Sequence, residues 1–223
     1  MNMIKTTLKR LPLMKDYLDF RTIYYDGSSF WNFLLYRIFP SLLGKVYWPT
    51  SKSSEVRGNV IVGKGARVGH RPNCIIQGRG KVFIGDYVEI GPNCVIISGN
   101  HSLINQSEVV KKETIIGDNC WIASSCNILA GVVLGPRTVV GAGSVVTKSF
   151  PDGYCVIAGN PAKVIKKIPK EEFTVNRPQT EYYGYVRADK FESFYKKNFS
   201  DIKFQYDLEK ITSNIFLIQN GKV

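Results

Sequence analysis

The chain has 223 residues, 44% of them hydrophobic, which suits one domain with appendages or at most two small units. Its 30 basic and 18 acidic residues give a formal net charge of +12. This charge fits an anionic cofactor, an acidic polymer or an anionic membrane face, and it fits equally a basic protein with solvated lysines. No nucleic-acid partner is expected, because zinc-knuckle spacing, an RNA-binding aromatic signature and a basic helix are all missing from the sequence.

The cysteine pattern and the N-terminal residues predict a cytoplasmic protein, with the inner face of the membrane as an alternative location. The five cysteines form no C-x-x-C pair, and an odd number does not suit a disulfide framework. Pro12, Lys15 and Asp16 interrupt the apolar core that a signal peptide would need.

Residues 1–57 form an N-terminal extension with one predicted helix. Ser28 or Ser29 can cap a helix over residues 30–39, and Pro40 and Gly44 would end it. The segment is apolar nearly all round but too short to span a bilayer.

Two interpretations of this helix remain open. It can cover the open end of the repeat that follows, whose last coil would otherwise present unpaired backbone groups. Alternatively, it makes a peripheral membrane contact with help from Lys9, Arg10 and Lys45.

Residues 58–168 carry aliphatic side chains at every sixth position. The series runs without interruption through Ile116, Ile122, Ile128, Leu134, Val140 and Val146, and earlier parts include Val62, Val68, Ile84, Ile90 and Ile96. A period of six fits neither an α-helix nor a half-buried strand. It is typical of a parallel β-helix whose triangular coils each use three hexads, which makes the fold mainly β. Cys94, Cys120 and Cys126 fall on the small inward position of a hexad, where a thiol acts as an apolar filler.

The register is lost twice, between Val68 and Ile84 and between Ile96 and Ile116. A coil that loses register must bulge or extrude a loop. The second interruption contains His101, so we expect the functional site there.

Beyond the repeat, residues 154–157 read as a strand, and residues 169–223 form a C-terminal extension. Within it Phe191, Phe194, Tyr195 and Phe199 lie on one side of a predicted amphipathic helix. This helix is expected to pack against the prism or a neighbouring subunit.

Three motifs give the repeat a family resemblance. The segments I-G-D-Y-V-E-I-G-P-N-C-V-I-I-S-G-N-H (84–101), I-G-D-N-C-W-I-A-S (116–124) and A-G-N-P-A-K-V-I (158–165) resemble hexapeptide-repeat acetyltransferases of the maltose and galactoside O-acetyltransferase type. The resemblance covers residues 58–168. It implies a left-handed β-helix, a homotrimer with active sites between subunits, and direct transfer of acetyl from acetyl-CoA to a hydroxyl without a metal.

By this resemblance His101 is the catalytic base and Asn73 holds the acceptor. A neutral imidazole suits the task, because histidine loses its proton near neutral pH. Either the Glu108 carboxylate or a main-chain carbonyl would orient the ring. The chain has only two histidines, so one chain cannot build a zinc site from three of them.

The resemblance also assigns the acetyl-CoA groove. Trp121 flanks the thioester, or packs outward between subunits, and Ser124 stabilises the developing oxyanion. Ala142 leaves room for the pantetheine arm and Thr147 hydrogen-bonds further along it. Lys163 and Lys166 face the phosphates, unless they are merely solvated.

The sequence therefore predicts an O-acetyltransferase that acts on a saccharide, such as a unit of a surface polysaccharide or its precursor. An N-acetyltransferase acting on an amino-sugar nucleotide or an antibiotic is the alternative within the same fold. A non-catalytic solenoid that binds an acidic glycan or a membrane surface is the alternative from another class.

Overall fold

A computed structural model describes residues 12–24, 29–39, 42, 46–174 and 177–198. The helices are α1 (Pro12–Ile23), α2 (Phe30–Ile38) and α3 (Ala188–Asn198), with a short 3-10 helix at Lys170–Glu172. The strands are β1 (Glu55–Val62), β2 (Ile75–Ile84), β3 (Glu89–Ile90), β4 (Val95–Ile97), β5 (Gly99–His101), β6 (Val109–Lys111), β7 (Glu113–Ile116), β8 (Trp121–Ile122), β9 (Asn127–Ile128), β10 (Val133–Leu134), β11 (Thr138–Val140), β12 (Val145–Val146), β13 (Cys155–Gly159), β14 (Ala162–Lys167), β15 (Tyr182–Tyr183) and β16 (Val186–Arg187).

The strands wind into a parallel β-solenoid with three faces. The first face stacks the starts of β1 and β2 with β4, β9 and β12. The second face stacks the ends of β1 and β2 with β7 and β10. The third face stacks β3, β8, β11 and β13, and the antiparallel β14 closes its edge. The turns between faces are named corner 1–2, corner 2–3 and corner 3–1. The predicted mainly β solenoid is confirmed, whereas its left hand stays a prediction.

The six-residue period follows from how the coils stack. Each periodic aliphatic side chain points inward and lies on its counterpart one coil away, as Ile96 does on Ile128 and Ile128 on Val146. All three are fully buried. Burial of such a side chain contributes about 1.5–3 kcal/mol, so the file of aliphatics drives the winding. The cysteines fill the corners as predicted: all five are buried and free, and burial raises the pKa of the Cys120 thiol to about 12.

Both losses of register have a structural cause. Gly58 pairs with Gly78 but Val60 pairs with Val82, so β2 has two residues more than β1 at the point where it bends from the first face to the second. The longer interruption is an antiparallel hairpin of β5 and β6, which leaves the prism at corner 1–2. Its residues from Leu103 to Glu108 are all exposed, so the hairpin extends away from the prism.

The predicted N-terminal helix is confirmed as α2, with Ser29 as its cap accepting a hydrogen bond from the Asn32 amide at 3.1 Å. It ends at Ile38, one residue before the predicted end. Ser28, Pro40 and Gly44 lie outside the described residues. The sequence analysis did not predict α1. Its buried residues, among them Phe20 and Ile23, lie outside the six-residue repeat on which that analysis relied.

Aromatic residues cap the N-terminal end of the solenoid. The Tyr47 hydroxyl donates to the Val62 carbonyl (2.7 Å) and accepts from the Val62 amide (3.1 Å). The Trp48 indole donates to the Val68 carbonyl at 3.0 Å. These bonds satisfy backbone groups that the first coil would otherwise leave unpaired. The segment after α2 thus caps this end of the solenoid, and these bonds leave both interpretations of the helix itself open.

The C-terminal extension joins the same cap. The amide of Gly65 donates to the Tyr182 carbonyl at 2.8 Å. Helix α3 buries Phe191 and Tyr195, and the Phe191 ring stacks on Tyr183 at 4.0 Å between ring centroids. The predicted amphipathic helix is confirmed over Ala188–Asn198, and Phe199 lies outside the described residues.

Candidate functional site

His101 ends the first strand of the hairpin at corner 1–2, and its side chain is exposed. A network of hydrogen bonds holds the turn that follows. The Ser102 hydroxyl accepts from the amides of Ile104 and Asn105, each at 3.2 Å. The Glu108 carboxylate accepts from the Asn105 side chain at 3.0 Å, so it stabilises the turn and does not orient the histidine ring. An ST turn of this kind fixes the local backbone.

A main-chain carbonyl orients His101. Its Nδ1 lies 2.6 Å from the carbonyl oxygen of Gln106. A carbonyl can only accept, so Nδ1 carries the proton and donates it. Nε2 of the neutral ring then holds a lone pair that points away from this bond. The sequence analysis left this partner open between a carboxylate and a carbonyl, and the structure provides the carbonyl.

Corner 3–1 is built from one turn repeated in successive coils. Its second central residue has positive φ each time: Asn73 (59°), Asn93 (59°), Ser125 (60°) and Gly143 (71°). This is the signature of a type II turn, in which the first central residue commonly is proline. The first central residues here are Pro72, Pro92, Ser124 and Ala142.

Proline has no backbone N–H, whereas Ser124 and Ala142, which occupy its position in the later coils, each have one. Two amides are therefore available at this corner. In the part of the chain that the structure describes, neither amide donates a hydrogen bond. At corner 2–3 two of the stacked amides are already engaged, because those of Lys64 and Asp86 donate to aspartate side chains of the next coil, each at 2.8 Å. Corner 3–1 therefore presents two stacked donors to a ligand.

Asn73 lies in the same corner, one coil before Asn93. Its amide donates to the Ser53 hydroxyl at 3.1 Å, and its side-chain nitrogen donates to the Asn93 side-chain oxygen at 3.2 Å. Asparagine is among the residues that tolerate positive φ. These contacts stabilise the corner, and the side chain is exposed beside it.

The remaining groove residues line the outer side of the third face. Trp121 pairs with Val139, and Val139 with Val156, so these side chains form one row across the face. The Trp121 side chain is 56% exposed. Val156 in turn pairs with Lys166, which ends the row.

An irregularity in the last hairpin brings the two lysines together. Lys163 and Lys166 are three residues apart, so in a regular strand they would point to opposite sides. The register shift between Val156 and Ile157 skips one residue of β14, and the lysines pair with Ala158 and Val156. Those two partners are two residues apart, so both lysines share the outer side, where both are exposed.

Thr147 and His101 lie apart from this group. Thr147 directly follows β12 at the end of the first face, near corner 1–2, and its side chain is exposed. Five residues separate it from Ala142, a span of about 16 Å when extended. One chain thus places Asn73, Trp121, Ser124, Ala142, Lys163 and Lys166 on one side of the first face, and His101 and Thr147 on the other.

The described residues hold no group of three or more His, Cys, Asp or Glu side chains placed to bind a metal ion. The sequence analysis assigned Ser124 and Ala142 to the groove, and the structure adds the availability of both amides. A signal for it was present, since proline occupies the turn position in two coils and is replaced in the next two.

Known proteins share this repeat. The family model described as bacterial transferase hexapeptide (six repeats) matches residues 113–148. The protein named "Putative colanic acid biosynthesis acetyltransferase WcaF" of Escherichia coli (strain K12) is 34% identical over 140 residues, which are 61% of this chain and 75% of that protein. Galactoside O-acetyltransferase of the same strain is 42% identical over 91 residues, or 39% of this chain and 44% of that enzyme.

A solved galactoside acetyltransferase in complex with coenzyme A shares the fold. It has a TM-score of 0.52 and 26% identity, and the match covers 74% of this chain and 88% of that one. Against several curated relatives, the galactoside enzymes among them, the chain spans about half of the relative's length. The repeat matches the hexapeptide family model, and the 34% identity to the Escherichia coli acetyltransferase extends over three quarters of that protein. This chain therefore belongs to the hexapeptide-repeat acetyltransferases.

Proposed function

We propose that this protein transfers acetyl from acetyl-CoA directly to a saccharide hydroxyl, with His101 as the general base. The observation that carries the proposal is the 2.6 Å contact between His101 Nδ1 and the Gln106 carbonyl. It fixes the tautomer in which Nε2 can accept a proton, on an exposed hairpin that an acceptor can reach. The names of the relatives support a sugar as acceptor, since two of them are galactoside O-acetyltransferases.

The reaction needs a base because a sugar hydroxyl is a poor nucleophile near neutral pH. Nε2 removes the hydroxyl proton as the oxygen attacks the thioester carbonyl carbon. The resulting tetrahedral intermediate collapses, the carbon–sulfur bond breaks, and the imidazolium returns its proton to the departing sulfur. The products are the acetyl ester and free CoA, and the enzyme regains its starting protonation state.

The available amides at corner 3–1 are assigned to the acetyl-CoA side of the reaction. The Ser124 amide is placed to stabilise the negative charge that develops on the thioester oxygen. The Ala142 amide, one coil further, would donate a hydrogen bond to an oxygen of the pantetheine arm. Lys163 and Lys166 share one outer side of the last hairpin, which suits contacts with the cofactor's phosphates. Thr147 of a neighbouring subunit would form a hydrogen bond further along the pantetheine arm.

The active site is proposed to lie between subunits of a homotrimer. His101 projects from corner 1–2, whereas the amides and the lysines lie at or beyond corner 3–1. The hairpin extends away from its own prism, so it can reach the corner of a second copy. Leu103 and Ile104 at its tip are fully exposed, as expected of apolar residues that become covered on assembly.

Replacement of the histidine tests the base. His101→Ala should lower turnover by roughly two to four decades while acetyl-CoA binding is retained, because only the proton transfer is lost. Turnover is measured as release of free thiol with a panel of saccharides, and amino sugars are included to detect N-acetylation. Binding is measured by calorimetry.

Ser107→Ala is the matched control, since Ser107 lies on the same hairpin and is exposed. It should keep turnover within about threefold of the original, as surface substitutions usually do. Unchanged turnover in His101→Ala would remove the histidine from the reaction. If only amines were acetylated, the acceptor in this proposal would have to be an amine and not a hydroxyl.

A further inference from the structure

Helix α2 has apolar side chains on both of its sides, which is unusual for a helix at a protein surface. One side is packed: Phe33 is fully buried, with its ring centroid 5.0 Å from that of Phe20 and 5.4 Å from that of Tyr17. This side attaches the helix to the aromatic cap, so the helix is held in place. The nine residues include a single charged one, Arg37.

The other side of α2 faces solvent. Trp31 is 74% exposed, and Leu35 and Ile38 follow at the i+4 and i+7 positions with 42% and 57% exposure. These positions lie on one stripe of a helix. The stripe continues past the end of the helix, where the Leu42 amide donates to the Phe39 carbonyl at 3.0 Å. We define the exposed apolar face as Trp31, Leu35, Ile38, Phe39 and Leu42, all of which are exposed large hydrophobic residues.

Charges around this face are arranged asymmetrically. Asp16 of α1 is buried, where it pairs with Arg37 and lies 3.8 Å from Arg187. The carboxylate of Asp19 accepts a hydrogen bond from the Thr180 hydroxyl at 3.2 Å. Lys15 of the same helix is exposed. Both acidic groups of α1 are thus engaged by partners, whereas Lys15 adds an exposed cation to the same helix.

We propose that the exposed apolar face binds peripherally to the surface of an anionic lipid bilayer. Tryptophan, leucine, isoleucine and phenylalanine beside cations are the composition of helices that lie in a membrane interface. Residues 1–57 contain nine basic and four acidic residues, so the whole extension complements anionic headgroups. Among the described residues no helix is long and apolar enough to cross a membrane, which fits a helix that lies flat.

The charge of the extension is what favours lipid as the occupant of this face. Residues 1–57 carry nine basic and four acidic residues, and an anionic bilayer attracts such a surface. The inference stands apart from the proposed acetyl transfer, because it uses neither His101 nor the groove residues.

Vesicle co-sedimentation of the full chain tests the proposal. Binding is compared between vesicles of phosphatidylcholine alone and vesicles that also contain phosphatidylglycerol. We expect binding that increases with phosphatidylglycerol and weakens with salt. Leu35→Asp combined with Ile38→Asp should lower the partition coefficient by about tenfold or more, because two apolar contacts are replaced by charges that anionic lipid repels.

A second double variant with the same type of substitution, placed on another surface, serves as the control. Val164→Asp combined with Ile165→Asp alters the net charge equally at exposed positions of β14, distant in the fold from α2. This variant should retain most of the binding. Equal loss in both double variants would show a plain charge effect and overturn the assignment of the face. Absence of binding to every vesicle would overturn the proposal outright, as would a change of oligomeric state as the sole effect of the α2 variant.

A second measurement does not depend on the folding of the charged variants. Trp31 should move into an apolar environment on binding, so the emission of the unaltered protein should shift to the blue when phosphatidylglycerol vesicles are added. Trp31→Phe, which keeps the apolar surface, should still co-sediment but lose this shift, because Trp48 is already buried and the exposed Trp121 lies on the third face of the solenoid and not on α2. A shift that persists in Trp31→Phe would place the lipid contact elsewhere.

Discussion

At the scale of single residues, the proposed site depends on three backbone groups. The Gln106 carbonyl fixes the tautomer of His101, and the amides of Ser124 and Ala142 are the donors left available at corner 3–1. Backbone groups are suited to both tasks because the solenoid holds them rigidly before any ligand arrives. Side-chain identity at these positions matters less than the presence of the N–H or C=O group.

Proline substitution can remove one amide without breaking the turn. Pro92 already occupies this turn position after Gly91, and Ala142 likewise follows Gly141. Ala142→Pro should therefore fold, yet raise the KM for acetyl-CoA about five- to tenfold, which corresponds to one lost hydrogen bond. Steady-state kinetics checks this, with Ala142→Ser as the control that keeps the amide. An unaltered KM in the proline variant would show that the cofactor does not use this donor.

At the scale of elements, close stacking of the coils limits what each position accepts. A Cβ on Gly135 would lie 2.0 Å from the Pro151 carbonyl oxygen of the next coil. Gly143 has positive φ, but a Cβ there would meet nothing within 4 Å. At the equivalent position of corner 3–1, Ser125 adopts the same conformation without being glycine.

These two glycines should differ in what they tolerate. Gly135→Ala should destabilise the fold by about 2–3 kcal/mol, because backbone of the adjacent coil must move. Gly143→Ala should cost about 1 kcal/mol from the strained conformation alone. Thermal unfolding checks the order, with Tm expected to fall roughly 5–10 °C in the first variant and about 2–4 °C in the second. A larger fall for Gly143→Ala would contradict the packing argument.

At the scale of the whole molecule, the separation of His101 from corner 3–1 is the reason for proposing a site shared with a second chain. The hairpin and the amides lie at opposite ends of the first face, and the hairpin points away from the prism. An assembly in which the hairpin of one copy meets corner 3–1 of the next would complete every site. Closed cyclic symmetry gives each copy the same contacts.

Mixed assemblies test this arrangement. His101→Ala and Ser124→Pro chains should each be nearly inactive, because they lack the base and the oxyanion donor respectively. When they are co-expressed in equal amounts, about one quarter of the interfacial sites should contain both intact groups, so activity should recover to that level. Mass spectrometry confirms that mixed assemblies form. Mixed assemblies without recovered activity would place the whole site within one chain.

The sequence by itself determined the solenoid, the place where a loop leaves it, and the start of α2 at a serine cap. Inward aliphatics at a period of six are a local pattern, and they can be read without knowledge of any contact because each coil repeats the same step. The position of His101 within the longest interruption follows from the same count. Ser29 could be identified as a cap because its hydrogen bond reaches only three residues along the chain.

Only the tertiary structure decided how the site residues are distributed. Corner 3–1 aligns residues that are 18 to 32 positions apart, and two-residue widenings of the early coils determine which ones meet, so spacing alone could not group them. The shared side of Lys163 and Lys166 depends on a one-residue bulge. The aromatic cap and α1 likewise depend on contacts across more than a hundred residues, such as the Tyr182 hydroxyl donating to the Asp16 carbonyl at 2.9 Å. Contacts of that range are set by the packing of the whole chain, and no local period records them.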